Sequence, residues 1–292
     1  NTAVGKSALI ANTTASFNTA VGDKAMQTNT TGTNNTALGH QALNKNTTGG
    51  LNTALGLNAL YNNTTSSQNT AVGHTALFAN TTGGFNTAMG YKAGEAVTTG
   101  SGNAFFGLRA GAGTTTGTAN TFIGGSSNSY VGFANTTGAN NTAVGTDALA
   151  ANTTASNNTA VGMDALDANT TGPANTAVGA GALTTNITGA DNTALGQNSL
   201  GLSTGGSNTG VGQSSLAANT TGGSNTAIGR KSGDTLTTGG NNTLLGHDAQ
   251  PSAVGVSNEI TLGNGSIGAI RCNTTSISSL SDARDKTNVQ DI

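Results

Sequence analysis

The chain has 292 residues, of which 45 are Gly, 8% are charged and 3% are aromatic, with no Trp and a formal net charge of −2. So few bulky side chains argue against one large or two ordinary globular domains, because a wide core could not be filled. The near-neutral balance gives no electrostatic footprint for nucleic acid or an anionic membrane, and the low charge argues against a self-repelling disordered tail. No apolar run approaches the roughly 18 residues of a spanning helix, so no membrane insertion is expected. A single cysteine, Cys272, cannot form a disulfide framework within the chain and is read as a small buried filler.

The organising feature is a repeat. Asn-Thr-Ala-Val-Gly at residues 1–5 returns fourteen more times in related form, with a step of seventeen residues almost throughout. Copies start at Asn1, Asn18, Asn35, Asn52, Asn69, Asn86, Asn103 and Asn120. After a 21-residue unit the phase resumes at Asn141, then Asn158, Asn175, Asn192, Asn208, Asn225 and Asn242, with 16-residue units read from Asn192 and Asn242. Self-similarity at such a period marks a stacked repeat, in which each unit covers its neighbour.

Each place in the unit has a physical job. The fourth is always apolar (Val4, Val21, Leu38, Leu55, Val72 and onward) and is expected to stack as an interior column. The ninth is usually Leu (Leu9, Leu43, Leu60, Leu77, Leu149, Leu166) and gives a second inward column. Gly at the fifth place suits a bend or a close backbone approach. Thr and the β-branched residues of the head favour strand, while Asn-Thr-Thr-Gly favours turns and side-chain ladders. Charges fall mostly in the two places after Gly, as at Lys6, Asp23, Lys24, Lys92, Arg109, Asp147, Asp164, Arg230, Lys231 and Asp248, which should face water. Gly and Asn-Thr clusters recur too quickly for a useful helix. The predicted fold is all-β, a repetitive β-solenoid or β-roll of about fifteen rungs, with Gly125 to Phe133 looped outward from the long unit.

Assembly follows from how thin the coil is. A few aliphatic side chains per unit offset the ordering of seventeen backbones poorly, so burial of a second face against other chains is expected.

Units such as Asn103-Ala-Phe-Phe-Gly-Leu-Arg-Ala-Gly111 and Asn120-Thr-Phe-Ile-Gly124 resemble the repeats of bacterial and phage tail-fibre-domain proteins, over about residues 1–257. Gly/Asn/Thr repeats also resemble the heads of trimeric autotransporter adhesins. From Ser281 the sequence Ser-Asp-Ala-Arg-Asp-Lys286 resembles the start of the intramolecular chaperone domain of endosialidase-type phage tail spikes. In that family the domain trimerises the fibre and then cuts itself off, with the motif's Ser as nucleophile and its Lys as base. The resemblance places those roles on Ser281 and Lys286, and the Lys would need a lowered pKa to activate the Ser. That family's domain runs on well beyond the point matching Ile292, so a single cleavage at Leu280–Ser281 is expected only with the full domain, and the chain is otherwise not read as an enzyme.

The division expected is a repeat shaft over 1–257, a cap or transition over 258–280 and the start of the chaperone domain over 281–292. The resemblance implies a parallel homotrimeric fibre, with Ile260 to Leu280 close to its axis. Its function would be the shaft of a phage tail fibre or similar appendage, on a virion or at a cell surface, that presents a region binding a host receptor or glycan. A bacterial surface adhesin on the same repeat is the alternative, and an ice-binding solenoid built on the Thr columns is a third reading. Tyr130 and Phe133, exposed aromatics on a chain with few of them, are the candidate contact surface. His40, His74 and His247 lie too far apart along the stack to share a metal, and no cofactor is expected. The Asn-Thr-Thr triplets at Asn29, Asn46 and Asn80 fit a glycan acceptor pattern but are read first as turn chemistry.

Overall fold

In the computed structural model, residues 1–127 and 130–269 are described. Sixteen strands of three residues, from β1 (Thr2–Val4) to β16 (Ile260–Leu262), form one sheet in strict chain order. Every neighbouring pair is parallel. Thr2 pairs with Thr19, Ala3 with Ala20 and Val4 with Val21, and the same register recurs at each step. There is no helix among the described residues, and the fold is the β-solenoid expected from the period.

One expectation about the interior is overturned. The fourth-place column points outward: Val4 is 58% exposed and Leu38 50%, while Val21, Leu55 and Val72 are half-exposed. The inward residue of each strand is the third, so Ala20, Ala37, Ala54 and Ala71 are fully buried. Strand side chains alternate between faces, and the residue that sets the phase is the first-place Asn. Its amide has partners only inside, which turns the third place inward with it and sends the second and fourth outward. The ninth-place Leu column is buried as expected, with Leu43, Leu60, Leu77, Leu149 and Leu166 fully enclosed beside the third- and eighth-place Ala.

Two ladders of buried Asn line the coil, and the first-place one runs its whole length. Asn35 donates from Nδ2 to the Gly49 carbonyl of its own rung at 2.9 Å, and its Oδ1 accepts the backbone N–H of Asn52 at 2.9 Å. The twelfth-place Asn46 donates to the same Gly49 carbonyl at 2.9 Å and to Asn29 Oδ1 at 2.7 Å. One carbonyl thus takes two amides, which ties the end of each turn to its beginning. Such satisfied polar contacts replace the wide core that the composition cannot supply. The twelfth-place ladder is interrupted where Val97, Thr114, Ser203 and Leu236 replace Asn, and Asn80 Oδ1, Asn186 Oδ1 and Asn219 Oδ1 are buried without a partner among the described residues.

The fifth-place Gly is fixed by two constraints at once. At Gly56 φ is +132°, and a Cβ there would lie 2.6 Å from the carbonyl oxygen of Gly73 in the next rung. No side chain could be accommodated.

Irregular units keep the stack intact. The 21-residue unit from Asn120 bonds both neighbours in register, the Gly111 N–H of the unit before donating to its Val131 carbonyl at 3.1 Å and its Gly132 N–H donating to the Ala148 carbonyl of the unit after at 3.0 Å. Val131 is fully buried in the eighth place and Gly132 takes the ninth. The extra residues are therefore confined to 125–130, a shorter span than Gly125 to Phe133. At the far end the Glu259 N–H bonds Asn242 Oδ1 at 3.0 Å. Glu259, rather than Asn258, holds the first place of the last rung, so the unit from Asn242 spans seventeen residues and not sixteen. The sheet also continues through β16 into the segment read as a cap.

Candidate functional site

Solvent-facing chemistry falls into columns, because the same place in each rung lands on the same side of the coil. The charged residues in the sixth and seventh places are exposed or half-exposed throughout. They pair locally. His40 Nε2 lies 3.4 Å from an Asp23 carboxylate oxygen, and Arg230 and His247 meet at 3.0 Å. His74 stacks on Tyr91 with ring centroids 5.3 Å apart. No group of three or more His, Cys, Asp or Glu able to hold a metal occurs among the described residues. Asp147 and Asp164 sit on adjacent rungs beside Asp167, whose pKa is pushed up by partial burial first and by the two neighbouring carboxylates second.

The long unit builds a small aromatic corner. Tyr130 is half-buried and Phe133 is 38% exposed, with their rings tilted and centroids 5.0 Å apart. The Arg109 guanidinium lies over the Tyr130 ring at 5.3 Å, and Asp147 accepts the Tyr130 backbone N–H at 2.9 Å. The Tyr130 hydroxyl donates to the Ser127 carbonyl at 3.0 Å. A cation and an acid on adjoining rungs thus hold the corner against the stack.

The Asn-Thr-Thr triplets point the wrong way for a glycan. Asn29, Asn46 and Asn80 are wholly buried, and each uses Nδ2 in the interior ladder. The Thr after each Asn is also engaged, as where Thr30 and Thr47 donate from Oγ1 to the carbonyls of Thr47 and Thr64, both at 3.0 Å. The second Thr of the triplet (Thr31, Thr48, Thr82) is exposed. Ser281 and Lys286, together with Cys272 and the rest of 270–292, lie outside the described residues.

Composition gave no hint of the face that the sheet turns to solvent. The outward places of the sheet form two parallel columns along all sixteen strands, Thr at the second with Ala104 and Ile260 as departures, and an apolar residue at the fourth, aliphatic or Met except for Phe106. None of these outward residues carries a charge. The signal was present in the alternation Asn-in, Thr-out, Ala-in, Val-out, once the Asn is recognised as an interior residue. Comparison with protein-family models and with curated proteins finds no match for this chain.

Proposed function

We propose that the chain is the shaft of a phage tail fibre or a related surface appendage, which spaces or presents a receptor-binding region. The observation that supports this reading is the single unbroken sheet of sixteen parallel strands, locked rung to rung by buried Asn ladders. At about 4.8 Å per rung the ladder extends roughly 70 Å. Rigidity and length are the properties a spacer needs, and they use almost every residue of the unit. Tyr130 and Phe133 are the proposed point of contact with a host receptor or glycan, since they interrupt an otherwise uniform surface. In this reading Ser281 and Lys286 serve one cleavage after assembly, when the full chaperone domain follows them.

Immunogold electron microscopy with antibody raised against residues 1–257 tests the placement. Labelling of virion tails is expected. Labelling confined to bacterial surfaces would replace the tail-fibre reading with the adhesin reading.

A further inference from the structure

We propose that the outward face of the sheet is a seam along which further copies of this same chain pack, parallel and in register. The inference goes beyond the shaft reading and holds for any appendage built on this coil. It begins with exposure. Val4, Leu38, Met89, Ile123, Leu195 and Ile228 are all at least two-fifths exposed in the isolated chain, one above the other at rung spacing. A strip three residues wide and about 70 Å long presents roughly 700 Å². It is close to the roughly 800 Å² per partner of a stable protein–protein interface.

Periodicity selects the occupant. The face repeats the same two outward places, an apolar residue with Thr beside it in all but two strands, at every step of the sheet. Only a partner with the same rise per rung can match it along its whole length, and another copy of the chain has that rise by construction. Like faces do not repel, because no outward residue of the strands is charged, whereas the sixth and seventh places beyond the sheet carry Lys6, Lys24, Arg109, Asp147 and Asp164. The second-place Thr hydroxyls make no hydrogen bond among the described residues, which leaves a row of donors and acceptors beside the aliphatic column. Copies related by rotation about an axis along the stack give every chain the same neighbour, and three such copies close with all faces turned inward.

The test is a native mass measurement at about 50 µM, where mass action favours association. The unaltered chain should show an integer multiple of 28.2 kDa, three-fold in the expected arrangement. Met89→Lys combined with Leu195→Lys puts charge on the seam without touching the interior, and should yield the single-chain mass with an unchanged circular dichroism spectrum. Thr82→Lys combined with Thr188→Lys, at the exposed fourteenth place, should leave the multiple intact. A single-chain mass for the unaltered protein, or no loss of mass in the seam variant, overturns the proposal. A single-chain mass accompanied by thermal hysteresis in freezing would assign the face to an ice lattice and overturn it equally.

Should the Lys variants fail to fold, crosslinking decides. In a Cys272→Ala background, Thr36→Cys should give a two-chain species with a short bis-maleimide, and Thr31→Cys should not. An antiparallel copy would hold the two engineered sites about 50 Å apart, so absence of the crosslink overturns the parallel seam.

Discussion

The ring of Phe105 lies directly against the backbone of Gly111, where a Cβ on the glycine would come within 2.5 Å of the ring edge. Phe105 occupies the third place, usually Ala, and Gly111 the ninth, usually Leu. The two exchanges compensate, because the coil has room for about one large side chain per rung. Phe122 and Gly132 repeat the exchange in the next rung, and the two rings stack 5.6 Å apart.

Phe105→Ala is therefore expected to cost about 3–5 kcal/mol, as for other fully buried aromatics. Gly111→Leu alone should destabilise by overpacking. The two together restore the common Ala/Leu arrangement, and φ at Gly111 (+60°) is close to that tolerated by Leu43 (+52°). The double variant should recover at least half of the loss in a chemical-denaturation cycle. Strict additivity of the two costs would refute the exchange.

The Asn ladder makes a second prediction. Asn46→Ala removes two donors at once and leaves Asn29 Oδ1 and one bond to the Gly49 carbonyl unmet. A loss of about 1–3 kcal/mol is expected for the orphaned acceptors. Expression in a glycosylating host should leave Asn29, Asn46 and Asn80 unmodified in the folded protein, and intact-mass spectrometry showing glycan on them would contradict their interior placement.

Backbone conformation offers a way to stabilise the coil. Gln68 holds φ at +63° on the surface, a region that costs non-Gly residues about 1–2 kcal/mol. Gln68→Gly should raise stability by about 0.5–1 kcal/mol after allowing for the added freedom of the unfolded chain. Gly102 already occupies the equivalent place at +70°. An unchanged or lowered melting temperature would mean the left-handed conformation costs nothing here.

Asp167 makes stability depend on pH. Burial and the neighbouring Asp147 and Asp164 raise its pKa above the ordinary 3.8, so the fold disfavours its charged form. Stability should fall as pH climbs from that ordinary value through the raised one. Asp167→Asn should then melt higher than the unaltered chain at pH 7 and no differently near pH 3. Equal melting temperatures at both pH values would remove the effect.

The last prediction concerns the C-terminal motif. In a chain carrying the full chaperone domain, Ser281→Ala and Lys286→Ala should each abolish release of a product ending at Leu280, detected by intact mass. Undiminished cleavage in either variant would exclude that residue from the chemistry.

The period alone determined the class of fold, because a strand that begins again every seventeen residues with the same five can be stacked only on its own copies. Thr36 pairing with Thr53 was legible in that sense from the sequence, as were the buried Leu43 and Leu60 and the water-facing Lys and Asp that follow many of the Gly. Tertiary structure decided which side of the strand is the interior. Ala37 and Leu38 are both apolar, a three-residue strand is too short for alternation to choose between them, and hydrophobicity favours the wrong one. The choice is made by Asn35, whose amide must reach Gly49 across the turn, and a coil that narrow has room for Ala but not for a second column of Leu. The same closure places Glu259, and not Asn258, at the head of the last rung, since it is the backbone N–H at that point which must meet Asn242. The aliphatic column that looked like a core is on the outside for this reason, free to become a core only between chains.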